Sequence, residues 1–249
     1  MKLVPLVFVL VLGLYNSHFT DTMIQSTSEP SRYPVHPVTQ PITIDGNWEK
    51  EVWRNTPSAE IALHMGDRPH FSPKTQLKLR YDKKNIYGIF KVEDRYVRCL
   101  VQEVNGPVST DSCVEFFFSP DVTAPLEYFN LEINCAGVPL MHHVTKPRKT
   151  YEVLDASDIA QIEIAHSMPD KVDPEIQDEV TWYIEFSMPL DILKKYREIT
   201  TPAPGVTWKA NFYKTGSKTS NPHFFTWNEV VNERPDFHLP AYFGEIIFQ

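Results

Sequence analysis

Two glutamates stand out because each one interrupts a strongly apolar segment. Glu115 lies within Ser112–Ser119 (SCVEFFFS), and Glu132 lies within Tyr128–Asn134 (YFNLEIN). If these segments are antiparallel strands with apolar side chains facing a core, alternation puts both glutamates on the opposite face, as near neighbours. Adjacent carboxylates repel each other, so a lysine, an arginine or a metal ion is expected nearby. This register pairs Val114 with Ile133, Phe116 with Leu131 and Phe118 with Phe129.

The same alternation, applied to the other strands, collects further polar groups on one face if the strands share a sheet. Amides, carboxylates and basic groups on a rigid sheet, with aromatic rings nearby, suit a sugar. Each sugar hydroxyl donates and accepts hydrogen bonds, and the C–H face of a sugar stacks on a ring. An ordinary solvated face with salt bridges explains the pattern equally well. The polar set is Asn130, Asn134, Lys78, Arg80, Tyr183, Glu185, Lys209, Asn211 and Tyr213.

Other kinds of chemistry are open to these residues. Glu115 and Glu132, if about 5 Å apart, have the spacing of a retaining glycoside hydrolase. Met141, His142 and His143 could supply axial ligands to a haem in an electron-transfer protein, unless they simply lie in an exposed loop. A purely structural or interaction module is a further alternative.

The elements that must hold these residues are strands. Segments with period-2 alternation are separated by turn residues, and helical periodicity is almost absent. This predicts an all-β, antiparallel β-sandwich with one or two short helices. The predicted strands are Pro41–Ile44, Thr75–Tyr81, Ile86–Val92, Ser112–Ser119, Tyr128–Asn134, Thr181–Met188, Thr207–Tyr213 and Tyr242–Phe248, with Ile159–Ala165 as a further candidate. The predicted helices are Trp48–Trp53, capped by Asn47, and Leu190–Tyr196, and Met168–Asp178 is predicted to be a loop.

Composition narrows the class of ligand. The chain has 249 residues, a formal net charge of −8, 9 glycines and 21 prolines. Little glycine and much proline argue against a glycine-rich nucleotide-binding α/β protein. The acidic balance argues against a nucleic acid or an anionic membrane as the main partner. A neutral ligand such as a saccharide is compatible with it.

The N-terminus is predicted to be a targeting segment. Met1 and Lys2 precede the apolar run Leu3–Leu14, which is too short to span a bilayer and matches a secretory signal. We therefore assign residues 1–20 to a signal peptide, 21–40 to a linker or extended lead-in, and 41–249 to one domain. The protein is expected to be secreted or periplasmic, without membrane insertion.

Three cysteines, Cys99, Cys113 and Cys135, leave at least one thiol unpaired. In a regular hairpin Cys113 and Cys135 point to opposite faces, which argues against a disulfide between them. A bulge after Asn134 would permit one.

Seven segments, in the order in which they occur, resemble a known family. They are Ile42–Trp53 (ITIDGNWEKEVW), Leu77–Asp94 (LKLRYDKKNIYGIFKVED), Asp111–Asp121 (DSCVEFFFSPD), Tyr128–Asn134 (YFNLEIN), Trp182–Leu193 (WYIEFSMPLDIL), Gly205–Lys214 (GVTWKANFYK) and Phe225–Phe248 (FTWNE…YFGEIIF). On these segments the chain resembles the carbohydrate-binding module family 9-like domains, within the wider DOMON-like group of immunoglobulin-like β-sandwiches. The resemblance covers about Pro41 to Gln249. It implies a non-catalytic protein that binds an oligo- or polysaccharide.

The resemblance also implies a site. Founding members of the family hold a terminal sugar between two tryptophans, hydrogen-bond it with glutamate, asparagine and basic side chains, and bind structural calcium. Glu115 matches the family's glutamate and Trp227 its late-loop tryptophan, whereas Ser109 stands where the other tryptophan is expected. The expected ligand-binding site consists of Glu115, Glu132, Arg80, Asn134 and Trp227. The candidates for a calcium site are Asp45, Asp94 and Asp111.

We predict that export removes the N-terminal segment, so that the mature chain starts between about residues 18 and 24. Intact-mass measurement of the exported protein checks this. Retention of Met1 on exported protein would contradict the assignment of a signal peptide.

Overall fold

The computed structural model describes residues 29–249, so the predicted signal peptide and residues 21–28 of the predicted lead-in lie outside the described residues. The strands are β1 (Arg32–Pro37), β2 (Ala59–Ile61), β3 (Leu63–His64), β4 (Lys74–Tyr81), β5 (Asn85–Asp94), β6 (Val97–Cys99), β7 (Cys113–Ser119), β8 (Tyr128–Asn134), β9 (Pro139–Lys146), β10 (Thr150–Val153), β11 (Glu163–His166), β12 (Val172–Ile176), β13 (Val180–Pro189), β14 (Thr207–Thr215), β15 (Phe224–Thr226) and β16 (Gly244–Phe248). The helices are α1 (Glu51–Arg54), α2 (Ala156–Ile159) and α3 (Leu190–Tyr196), with single 3₁₀ turns at Val108–Thr110 and Pro240–Tyr242. Among residues 29–249, no helix has the length and apolar character needed to cross a membrane.

One continuous sheet folds over on itself to make the two layers of a sandwich. Its strand order is β10–β9–β8–β7–β14–β16–β1–β4–β5–β13–β11. Strand β1 is the seam, because it runs parallel to β16 on one side and parallel to β4 on the other. We call strands β10, β9, β8, β7, β14 and β16 the first layer, and strands β4, β5, β13 and β11 the second layer. The predicted all-β sandwich with a few short helices is confirmed.

The predicted strands with clear alternation overlap β4, β5, β7, β8, β13, β14 and β16, and the predicted helix at Leu190–Tyr196 is α3. The other predicted helix begins at Glu51 instead of Trp48. The side chain of Asn47 accepts the backbone N–H of Glu49 at 2.9 Å, and this turn precedes the helix. Pro41–Ile44 forms no strand.

The first strand lies instead within the predicted lead-in. Tyr33 and Val35 of β1 are buried between the layers, so the folded domain includes residues assigned to the lead-in. The Tyr33 hydroxyl donates to the Pro57 carbonyl at 2.6 Å and accepts the Leu79 N–H at 3.0 Å, which ties the strand to the second layer. The prolines of this segment concealed the alternation.

Two further segments also differ from their predictions. The predicted loop Met168–Asp178 contains β12, which pairs with β6 in a separate two-stranded sheet. The candidate strand Ile159–Ala165 divides between the last residue of α2 and part of β11.

Aromatic rings fill the space between the layers. The Phe116 ring of β7 lies 5.5 Å from the Phe212 ring of β14 and 6.4 Å from the Phe186 ring of β13, which belongs to the second layer. The predicted register of β7 and β8 is confirmed, with Val114 opposite Ile133. All three thiols are free and buried, so no disulfide joins Cys113 to Cys135.

The outward face of the first layer is covered as well. Residues 228–243, which we call the covering loop, pack on it, so that every residue of β7 and β8 is buried. The Phe237 ring of this loop stacks on the Tyr213 ring at 4.0 Å, and the Phe243 ring meets the edge of the Tyr128 ring at 5.5 Å. Aromatic packing therefore continues on the side of the sheet that an open sandwich would leave in water.

A buried ion pair ties the two layers together. Lys214 of β14 and Asp94 of β5 are both fully buried, and Lys214 Nζ lies 3.1 Å from Asp94 Oδ2. Trp182 Nε1 donates to the same oxygen at 3.2 Å. Lys214 Nζ also donates to the Thr215 carbonyl at 2.9 Å and lies 2.7 Å from Nε2 of His223. Burial lowers the pKa of His223 to about 3, so the ring is neutral and its Nε2 accepts a hydrogen bond from the Lys214 ammonium group.

We predict that Lys214→Met destabilises the fold by about 3–5 kcal/mol, because it leaves the Asp94 carboxylate buried without its cation. Urea unfolding measures the change. The control is Lys209→Met, which removes a half-exposed partner of Glu245 and is expected to cost less than about 1 kcal/mol. Equal effects of the two substitutions would contradict the role given to the buried pair.

Candidate functional site

Glu115 and Glu132 face each other directly across β7 and β8. They are 2% and 6% exposed, so both carboxyl groups are almost removed from water. They line one pocket of about 150 Å³ beside the covering loop. The prediction that these two residues are neighbours on the outward face is therefore confirmed by the register.

Burial raises the pKa of both carboxyl groups, and repulsion by Glu132 raises that of Glu115 further. The pKa of Glu132 rises to about 7, mainly because of desolvation, while hydrogen bonding from Asn130 opposes the shift. Desolvation and the charge of Glu132 raise the pKa of Glu115 well above its ordinary value, against the attraction of Lys214. The pair therefore tends to share one proton at neutral pH, so that it presents both a donor and an acceptor.

An arginine from a turn adds a positive charge near the pair, in addition to that of Lys214. Arg148 follows β9, and its Nε donates to Asp236 Oδ1 of the covering loop at 3.1 Å. Asp236 Oδ1 also accepts the backbone N–H of His238 at 2.8 Å. Arg148, Asp236 and His238 all line the pocket with the two glutamates. The β9–β10 turn and the covering loop thus meet over the carboxyl pair.

His238 enters the pocket wall as a neutral ring. Burial, followed by the charge of Arg148, lowers its pKa to about 4. Its Nδ1 lies 2.7 Å from the Tyr128 hydroxyl, and its ring lies 5.1 Å from that of Phe117. These contacts fix the ring against the sheet.

The rest of the pocket mixes apolar and hydroxyl groups. Phe224 and Phe237 form its aromatic part, with ring centroids 6.0 Å apart in an edge contact. Ser109, at the position where the family resemblance leads one to expect a tryptophan, also lines it. The remaining lining residues are Thr215, Ser217 and Pro235.

The other three predicted site residues lie away from this pocket. Trp227 is 9% exposed and packs inward, with its ring 4.8 Å from Phe212. A Cβ atom added to Gly244 would come within 2.7 Å of the indole, so the fit is close. Arg80 belongs to the second layer, where Nε donates to Thr56 Oγ1 at 2.7 Å. Asn134 Nδ2 donates to the Val101 carbonyl at 2.9 Å.

The predicted single polar face is divided because the sheet folds over. Lys78, Arg80, Tyr183 and Glu185 lie on β4 and β13 of the second layer, whereas Glu115 lies in the first. Their outward faces therefore point in opposite directions. Glu185 has a structural role: it accepts the backbone N–H groups of the Asp45–Gly46 turn at 2.9 and 2.7 Å and Trp53 Nε1 at 2.7 Å.

The three candidate calcium ligands do not form one site, because each has a separate partner in the protein. Asp94 is paired with Lys214, Asp45 with Lys50 at 2.8 Å, and Asp111 Oδ2 accepts the backbone N–H of Val101 at 2.8 Å. Within residues 29–249, no three His, Cys, Asp or Glu side chains converge in a group that could hold a metal ion. These residues do not fit the calcium that the family resemblance implies.

Met141, His142 and His143 lie in β9 instead of an exposed loop. Alternation sends Met141 into the core between the layers and His142 to the outward face. His143 is buried and stacks on Phe129 at 4.8 Å. Met141 and His143 share the inward face, where both are buried in the packed core, and His142 lies on the opposite face of the strand, so this group is a poor haem site.

Together, the two-layer sheet and a pocket rich in polar groups define a β-sandwich binding module. The family model of carbohydrate-binding family 9 matches residues 57–248. The chain belongs to this family, as its sequence resemblance implied.

Three solved structures share the fold. A candidate carbohydrate-binding protein from Bacteroides uniformis is 25% identical, with a TM-score of 0.79 over 89% of this chain and 100% of that chain. A family 9 module from Caldicellulosiruptor kristjanssonii, solved with glucose, is 15% identical, with a TM-score of 0.58 over 88% of this chain and 96% of that chain. The same module with cellotriose matches at 15% and 0.58, over 88% and 94%. No curated protein sequence matches the chain significantly.

Sequence reasoning missed the three titratable pocket residues other than the glutamates, Arg148, Asp236 and His238. Each comes from a turn or a loop, where no periodicity indicates the direction of a side chain. The one available signal was the expectation that a basic residue must accompany the two glutamates, and Arg148 meets it.

We predict that Glu132→Gln stabilises the protein at pH 8 by about 1–3 kcal/mol and changes stability little at pH 5. The folded protein holds a proton that the unfolded chain releases above about pH 4.5. The stabilisation is therefore complete below that pH and is lost as the pH rises through the folded pKa of about 7. Urea unfolding of both proteins between pH 5 and 8 measures the difference.

The matched control for this experiment is Glu245→Gln. Hydrogen bonding from Lys209 lowers the pKa of Glu245, so its loss is expected to give no gain at pH 8. A Glu132→Gln difference that does not vary with pH would contradict the raised pKa.

Proposed function

We propose that this protein is a non-catalytic carbohydrate-binding protein, and that a saccharide occupies the pocket around Glu115 and Glu132. The observation that carries the proposal is the meeting of two buried carboxyl groups with Arg148 and His238 in one pocket open to water. Membership of carbohydrate-binding family 9 supports it.

The chemistry of the pocket suits a neutral polyhydroxylated ligand. A half-protonated carboxyl pair donates and accepts hydrogen bonds, and so does a sugar hydroxyl. The Arg148 guanidinium adds donors in a fixed fork, and Asp236 holds it in place. Phe224 offers a partly exposed ring beside these groups for the C–H face of a sugar. An anionic ligand would meet the carboxyl groups, which resist further negative charge.

The size of the pocket favours one sugar unit. Its volume of about 150 Å³ is below the roughly 300–1,000 Å³ of pockets that enclose drug-sized ligands. A single ring, or the end of a longer chain, is the ligand that this volume favours. Glucose is a suitable first probe, because the related module from Caldicellulosiruptor kristjanssonii was solved with it.

Hydrolysis is the second candidate, because two adjacent carboxyl groups also occur in retaining glycoside hydrolases. Here burial raises the pKa of both groups, so neither carboxyl group is fully ionised at neutral pH, as a ready nucleophile would be. Incubation with cello-oligosaccharides and measurement of new reducing ends tests this.

We propose that the protein works after export, in the periplasm or outside the cell.

We predict that Arg148→Ala weakens saccharide binding by roughly tenfold or more and barely changes the melting temperature, since a charged hydrogen bond to ligand is worth about 1.5–3 kcal/mol. Glu115→Gln is expected to weaken binding in the same direction. Calorimetric titration with glucose and cello-oligosaccharides gives the affinities, after a glycan array has identified the preferred sugar.

The matched control is Arg32→Ala. Arg32, like Arg148, is an exposed arginine whose Nε donates to a carboxylate, in this case that of Glu245 at 2.9 Å. It lies outside the pocket, so its loss is expected to leave binding unchanged. Equal losses for both arginines, or no binding of any sugar by the unaltered protein, would overturn the proposal.

A further inference from the structure

The outward face of the first layer reaches the edge of the sheet at β10, and there it is bare. β10 pairs with β9 alone. Tyr151 and Val153 of this strand are 59% and 45% exposed. Both belong to the outward face, because Tyr151 pairs with Val144 and Val153 pairs with His142. The covering loop does not reach these two side chains, so the outward face ends in a small exposed apolar patch at Tyr151 and Val153.

The Tyr151 ring is supported from within the same face. It lies 4.9 Å from the His142 ring at an angle of 32°. Burial lowers the pKa of His142, so its ring is neutral at neutral pH and offers an uncharged surface beneath the tyrosine. A ring that is held on one side and open to water on the other is arranged as a flat stacking surface.

This surface and the pocket described above are joined by one turn of the chain. Arg148 lines the pocket and precedes Tyr151 by three residues, in the turn that joins β9 to β10. His238 lines the pocket and lies against Tyr128, 6.0 Å away between ring centroids. Tyr128 pairs with Val144, the residue that Tyr151 faces on the next strand. One row of the sheet therefore runs from the pocket wall to the exposed ring, with Tyr128 and Val144 buried between them.

We infer that Tyr151 is a second saccharide-binding position, on which a sugar unit further along an oligosaccharide stacks when the first unit fills the pocket. This rests on the proposed function. The apolar C–H face of a neutral sugar fits a half-exposed tyrosine. Arg148 and Tyr151 are three residues apart, a chain separation of at most about 11 Å, so one oligosaccharide can reach both. A second position of this kind gives oligosaccharides a higher affinity than monosaccharides.

A second protein strand is the other occupant that an edge strand could accept. Charged residues of β10, of the adjoining turn and of the end of β9 oppose that mode, since lysines and other charges protect sheet edges from pairing. These residues are Lys146, Arg148, Lys149 and Glu152.

The test compares affinities along the series glucose, cellobiose, cellotriose and cellotetraose by calorimetric titration. In the unaltered protein, affinity is expected to rise with chain length. Tyr151→Ala is expected to lower the affinity for the longer ligands roughly tenfold and to leave glucose unchanged, by analogy with stacking of a base on an aromatic side chain. Tyr151→Phe keeps the ring and is expected to keep the gain.

The control variant is Leu126→Ala, which removes an equally exposed apolar side chain (55%) from the turn before β8. It is expected to change no affinity. Glucose affinity separates the two proposals: if glucose binds and Tyr151→Ala keeps the gain with length, or if there is no gain, the second position is wrong and the pocket stands. If no sugar binds, both fall. A change of oligomeric state in Tyr151→Ala without loss of the gain would assign the edge to protein pairing and overturn the inference.

Discussion

Two buried carboxyl groups that face each other across neighbouring strands are the constraint on which this end of the molecule depends. The strand register puts Glu115 opposite Glu132, so neither can move away from the other without loss of the β7–β8 pairing. Water cannot screen their repulsion, because both are almost fully buried. A retained proton reduces this repulsion, and the charge of Arg148 offsets part of what remains. Asp236 holds Arg148 in place by accepting a hydrogen bond from its Nε. The turn and the loop that supply these residues therefore have a structural reason to meet at the pair.

Different aromatic residues fill the core and line the pocket in this protein. Trp227 fills the space between Phe212 and Gly244, where it stabilises the core, and the pocket takes its aromatic wall from Phe224 and Phe237. With Ser109 in place of a second tryptophan, the pocket has hydroxyl groups on a side that a ring would have closed. A site of this composition depends on hydrogen bonds more than on stacking, so the identity and orientation of sugar hydroxyls should matter more for affinity than ring contact does.

Alternation was the physical basis of what the sequence could predict. It identified β7, β8, β13 and β14, and it correctly joined Glu115 to Glu132, because a two-residue period determines the direction of a side chain. It failed at β1, where prolines interrupt the pattern, and it could not reveal that the sheet folds over. For that reason Arg80 was placed beside Glu115, although it lies in the opposite layer. Arg148 and His238 come from a turn and a loop, whose side-chain directions only the tertiary structure sets.

The internal ion pair has a consequence for the conditions under which the sandwich holds together. In some proteins a metal ion bound from solution neutralises a buried carboxylate. Here the Lys214 ammonium group neutralises the Asp94 carboxylate instead. A bound ion stabilises a protein only to the extent that its free concentration exceeds its dissociation constant. An ammonium group attached to the chain cannot dissociate by dilution or be removed by a chelator. The junction between the two layers at this point is therefore independent of the mineral content of the surroundings.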